Sequence, residues 1–155
     1  MFRDLTLFFQ VSVSGVDDSV VWGVNSANSI YRRAGIFWQN VDGHLKVVSC
    51  GQAGVWGVNS ANDIYYRTGT HGGVNTAGTG WVKVAGSLKW ISSGAGGEVW
   101  GVNSNDNIYK REGITASNPT GTGWTLLDGL LEQVDVFGGK VWGVNSGNAI
   151  YNRRF

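Results

Sequence analysis

The 155-residue chain has one cysteine, one proline, two histidines and only 15% charged residues. A single thiol, Cys50, excludes an internal disulfide. With His44 and His71 the only histidines, no zinc constellation is present in the sequence. The formal net charge is +1 and no cluster of Lys or Arg stands out, which argues against nucleic acid or an anionic membrane as partner. No uninterrupted apolar stretch approaches the roughly 18 residues of a membrane helix, so no membrane insertion is expected. The opening Met1-Phe2-Arg3-Asp4-Leu5-Thr6-Leu7-Phe8-Phe9 makes a poor secretory signal, because its apolar run is short and no small-residue cleavage site follows. Asn118 precedes Pro119, so no N-glycosylation acceptor is found.

What the chain does have is 42% apolar residues, 25 glycines, and eight Trp, five Tyr and six Phe. That is enough apolar material for one folded domain, residues 1–155. Aromatics and glycine without helix-forming runs predict many short strands joined by tight turns.

A repeat organises these residues. Val-Trp-Gly-Val-Asn-Ser occurs at Val21–Ser26, Val55–Ser60, Val99–Ser104 and Val141–Ser146. Its indoles, Trp22, Trp56, Trp100 and Trp142, are 34, 44 and 42 residues apart. Spacing near 40 is that of blades in a β-propeller or of longer solenoid units. Each hexapeptide is followed by Ile-Tyr-x-Arg, ending at Arg33, Arg67, Arg111 and Arg153, and the first three by a second indole, Trp38, Trp81 or Trp124. A Leu-led run then follows, from Leu45, Leu88 or Leu131. Four β-rich runs per unit predict a four-stranded antiparallel sheet, and four units predict an all-β propeller of four four-stranded blades. These would form a closed four-blade ring or part of a larger propeller. Asn28, Asn62, Asp106 and Asn148 share one aligned turn position, where Asn and Asp best tolerate a positive φ. Asp42-Gly43, Ala85-Gly86 and Asp128-Gly129 read as a second turn. The last unit lacks a second-Trp strand, and Phe2 precedes Gly15 by the interval that separates Trp38 from Gly51. Residues 2–5 are therefore expected to complete the last blade.

These units, Val-Trp-Gly-Val-Asn-Ser…Ile-Tyr-x-Arg-x-Gly…Trp, resemble tectonin repeats over essentially the whole chain. They are most similar to those of the fish egg lectins and of the horseshoe-crab lectins that bind bacterial lipopolysaccharide. The resemblance implies a propeller of about six blades that binds N-acetylglucosamine-type sugars or microbial glycans, extracellularly, in innate defence or egg protection. This chain departs from that pattern in having four units and one cysteine.

Sugar recognition needs planar hydrogen-bonding side chains and an aromatic face in a groove. Asn25, Asn59, Asn103 and Asn145 recur in turns expected at one end of the propeller, and each either contacts ligand or caps its own hairpin. The position after each repeat tyrosine varies as Arg32, Tyr66, Lys110 and Asn152; variation suggests solvent, making Tyr66 a candidate exposed platform. Arg33, Arg67, Arg111 and Arg153 are expected to stack on neighbouring rings. The carboxylates show no pairing of the kind glycoside hydrolysis requires, and Cys50 has no aligned histidine, so no enzyme activity is expected. No cofactor is implied; calcium at Asp17 and Asp18 rests on two adjacent carboxylates alone. The expected partners are glycans or lipopolysaccharide, with a second copy of the chain as a further candidate. The rival reading is a propeller face that docks a protein.

Overall fold

The structure is a computed structural model that describes residues 10–155. The expected blade-completing strand at residues 2–5 lies outside the described residues. Three four-stranded antiparallel sheets and one three-stranded sheet follow one another along the chain. The first blade holds β1 (Gln10–Gly15), β2 (Val21–Asn25), β3 (Ser29–Ala34) and β4 (Phe37–His44). The second holds β5 (Val47–Gly51), β6 (Gly54–Val58), β7 (Asp63–Arg67) and β8 (Trp81–Ser87). The third holds β9 (Trp90–Ser93), β10 (Val99–Val102), β11 (Asn107–Glu112) and β12 (Gly123–Leu130). The fourth holds β13 (Gln133–Phe137), β14 (Lys140–Val144) and β15 (Ile150–Arg154). Strand order within each sheet is sequence order, the up-and-down meander of a propeller blade. β1, β5, β9 and β13 come together around a central channel of ≈ 300 Å³, lined from all four blades.

The repeat hexapeptide forms the second strand of each blade, and its alternation explains its composition. Trp22 and Val24 face the next blade, where they meet Leu45, Val48, Cys50 and Val55 in one buried cluster. Trp56 and Val58 do the same against Leu88, Ile91 and Val99, and Trp100 and Val102 against Leu131, Val134 and Val136. The glycine between them faces backwards. A Cβ on Gly57, Gly101 or Gly143 would lie 2.4–2.5 Å from Cδ1 of Leu45, Leu88 or Leu131. Only a hydrogen at that position leaves room for the leucine that opens each blade, so Gly and Leu recur as a pair.

The αL residues fall where the sequence places them: φ is 62° at Asn28, 65° at Asn62, 65° at Asp106 and 61° at Asn148. The Asp42-Gly43 motif and its copies are not turns. They sit within β4, β8 and β12 as bulges, where Ser29 pairs with His44 but Ile30 pairs with Val41, and where the other blades shift at Asp63/Ile64 and Asn107/Ile108. Gly43, Gly86 and Gly129 take φ of +97°, +118° and +108°. The strand continues through the extra residues in all three blades, and at two of them the indole of the next blade lies against the glycine: a Cβ on Gly43 would be 3.0 Å from Trp81 Nε1, and one on Gly86 3.0 Å from Trp124 Nε1.

Candidate functional site

Joints between blades are built by the same few residues each time. The second indole reaches back across the joint, Trp81 Nε1 donating to the carbonyl of Asp42 (2.7 Å) and Trp124 Nε1 to that of Ala85 (2.8 Å). Their rings meet the hexapeptide indoles of the preceding blade edge-on, Trp81 on Trp22 at 6.4 Å and Trp124 on Trp56 at 6.5 Å. Trp100 instead meets Phe155, at 5.2 Å. Arg67 and Arg111 lie over Trp81 and Trp124 with the guanidinium carbon 5.2 and 5.1 Å from the ring centre. Their Nε atoms donate to Ala77 and Thr120 carbonyls, which fastens the loops 68–80 and 113–122 to the blades (2.7 Å each). Arg67 also forms an ion pair with Asp42 of the preceding blade (2.8 Å), although its Nη1 has no aligned hydrogen-bond acceptor. The stacking expected of this arginine series is present at Arg67 and Arg111; Arg33 turns instead to the Gly35 carbonyl (2.9 Å).

Beside two of the bulges the joint opens to a cleft. Between the first and second blades it measures ≈ 190 Å³ and is lined by Ile30, Gly43, His44, Leu45, Asn59, Tyr65 and Trp81. Between the third and fourth it measures ≈ 440 Å³, and the repeat puts Ile108, Gly129, Leu130, Leu131, Asn145 and Tyr151 at the equivalent places. The volumes differ because Trp81 fills part of the first cleft, whereas no second indole lies against Gly129. An aromatic wall, an amide and an imidazole converge on the first cleft, which is the chemistry for holding a small polyhydroxylated ligand.

The four asparagines have one shared local task. Oδ1 of Asn25 accepts from Ala27 and Ser29 N–H, that of Asn59 from Ala61 and Asp63, that of Asn103 from Asn105 and Asn107, and that of Asn145 from Gly147 and Ala149, at 2.9–3.1 Å. Each thus caps its own hairpin, which leaves the amide N–H₂ as the group a ligand would meet. Two of them, Asn59 and Asn145, line the clefts just described. Asn59 Nδ2 also donates to Asp63 (3.3 Å), and the Lys83 ammonium followed by this amide holds the Asp63 carboxyl below its usual value.

Tyr66 is not an exposed platform. It is 1% exposed and packs on Trp56 with ring centres 5.3 Å apart. Its pairing with Trp56 across β6 and β7 turns it into the joint with the third blade. The ring that lines a cleft is its neighbour Tyr65. Sequence reasoning also passed over His44; its place directly after the bulge glycine was the available signal. Asp17 Oδ1 accepts from the Ser19 hydroxyl, Ser19 N–H and Val20 N–H, which lowers its pKa and commits that oxygen to the β1–β2 turn. Among the described residues no three His, Cys, Asp or Glu side chains gather as a metal site.

Meandering blades that share an axial channel and pack through successive indoles define a β-propeller. A family model for the Tectonin domain matches residues 6–146, and the chain belongs to that family. No match is found among curated proteins. Among solved structures, the chain resembles YCF48 bound to a D1 peptide, with 15% identity and a TM-score of 0.63 over 99% of this chain and 54% of that one. It also resembles the RRP9 WD40 repeats, with 6% identity and a TM-score of 0.60 over 98% and 52%. The computationally designed Ika4 protein matches at 9% identity and a TM-score of 0.59 over 100% and 99%. The chain therefore spans about half the length of the first natural propellers it matches, and at these identities the likeness is one of fold.

Proposed function

We propose that this protein is a non-enzymatic lectin whose interblade clefts bind glycans of the N-acetylglucosamine type or of bacterial lipopolysaccharide, outside the cell. The observation that carries the reading is the cleft between the first two blades, where Tyr65, Trp81, His44 and the Asn59 amide share one wall-and-rim arrangement. An aromatic face accepts the C–H surface of a pyranose while amide and imidazole groups bond its hydroxyls and acetamido group. Membership of the tectonin family supports it. Affinity at one such cleft would be modest, and repetition around the ring suits a multivalent surface.

The test is a glycan array on the purified protein with N-acetylglucosamine competition. His44→Ala should reduce array binding at least several-fold with an unchanged melting temperature, because His44 is exposed and makes no part of the core. A flat array with folded protein defeats the lectin reading. That outcome would favour a protein-docking propeller, a reading for which the peptide-bound YCF48 structure is the fold-level precedent.

A further inference from the structure

Three of the four repeat indoles are sealed: Trp22, Trp56 and Trp100 are 1%, 0% and 2% exposed. The fourth, Trp142, is 46% exposed, and Ile150 beside it on the same face is also open to solvent. At the other end of the arc, Val13 stands 60% exposed, although its counterparts Val48, Ile91 and Val134 are buried against the preceding blade. Their equivalence follows from register, since Val13, Val48, Ile91 and Val134 pair with the repeat glycines Gly23, Gly57, Gly101 and Gly143. Among the described residues, the fourth blade therefore presents an uncovered onward face and the first blade an uncovered backward face.

These two faces are not generic apolar patches. Three times within the chain an onward face of the Trp142 type is covered by a backward face of the Val13 type. The surface that fits the one is thus the other, and among the described residues of one molecule Trp142, Ile150 and Val13 all stay exposed. We propose that they are an interface between copies of this chain: the onward face of one molecule's last blade docks on the backward face of a second molecule's first blade, and two molecules close one ring. The contact is heterologous, so it either closes or propagates. Closure at two is favoured because the chain spans 54% of YCF48 and 52% of RRP9, so two copies supply about the length of one such propeller.

Sedimentation of the purified 155-residue protein should give twice the 16.6 kDa chain mass. Trp142→Arg and Val13→Arg should each halve that mass while leaving the circular dichroism spectrum of the separated chain intact, with the melting temperature unchanged for Val13→Arg and several degrees lower for Trp142→Arg, whose indole is half-buried in a single molecule. Mixing the two variants should restore a pair, because one keeps a sound onward face and the other a sound backward face. A wild-type mass of one chain at every concentration overturns the proposal. If Trp142 is then also shielded from acrylamide, the occupant is the first blade of the same molecule. A pair that survives either arginine, or a mass that climbs beyond two with concentration, overturns it as well.

Discussion

Trp56 and Trp142 occupy the same slot of the same repeat, so replacing each with alanine isolates the contribution of the next blade. Trp56 is fully buried, with its ring between Tyr66 and Trp124 and its Nε1 bonded to the Ala53 carbonyl at 3.1 Å. Removing a buried indole of about 200 Å² forfeits on the order of 5 kcal/mol of transfer free energy, and measured Trp→Ala losses in cores run at about 3–5 kcal/mol. Trp142 has 46% of its surface already in water. Scaled by burial, its loss should cost about 2 kcal/mol. For a domain of this size, 1 kcal/mol moves the midpoint by roughly 2–4 °C, so Trp56→Ala should melt about 8–16 °C lower and Trp142→Ala about 4–8 °C lower. The assay is circular dichroism melting at a concentration dilute enough to keep chains separate. Equal losses at the two positions would refute the claim that interblade contact, rather than the strand's own pairing, stabilises this slot.

Other substitutions probe the remaining devices. Gly57→Ala puts a methyl 2.4 Å from Leu45 Cδ1 and should cost about 1–3 kcal/mol in a urea titration, whereas Gly80→Ala, with nothing within 4 Å, should be near neutral. Asn62→Ala should cost about 1–2 kcal/mol through its φ of 65° and the lost bond from Nδ2 to Ser104, with Asn62→Gly restoring most of the conformational part. Burial raises the Cys50 thiol pKa, so native protein should react slowly with a thiol reagent at neutral pH and quickly once unfolded. The unfolded chain then loses this proton first, and stability should decline as pH rises above about 8.5, the ordinary thiol value. Cys50→Ala should flatten that decline, measured as the urea midpoint against pH.

The architecture was legible because its signals are local and repeated. A hexapeptide at blade spacing, a residue tolerant of positive φ in each hairpin and an indole after the first three repeat arginines are all properties of short windows, and the ladder pairs them as read. The bulges were misread because Asp-Gly in sequence is the signature of a turn. What shows Gly43 to lie in a bulge is cross-strand pairing, Ser29 with His44 but Ile30 with Val41, which no short window of sequence contains. Tyr66 was misplaced for a related reason. Its variable neighbours in other units suggested solvent, yet strand parity with Trp56 turns it into a joint, and parity depends on register that only the ladder fixes.

The residues that recur and those that vary divide along the same line as structure and recognition. Glycine, leucine, tryptophan and the turn asparagine are each fixed by a contact that every joint must make, so they carry no information about a particular ligand. The position after the bulge glycine is under no such constraint and reads His44, Ser87 and Leu130 in the three described bulges. The first cleft accordingly offers an imidazole where the third joint offers a leucine, beside the same asparagine and tyrosine. Hydroxyl-rich ligands should therefore discriminate between clefts that the scaffold makes alike. Leu130→His, which rebuilds the polar rim in the larger cleft, should raise glycan-array binding if the rim sets selectivity. An unchanged array would mean that the shared asparagine and tyrosine suffice, or that the ligand lies elsewhere.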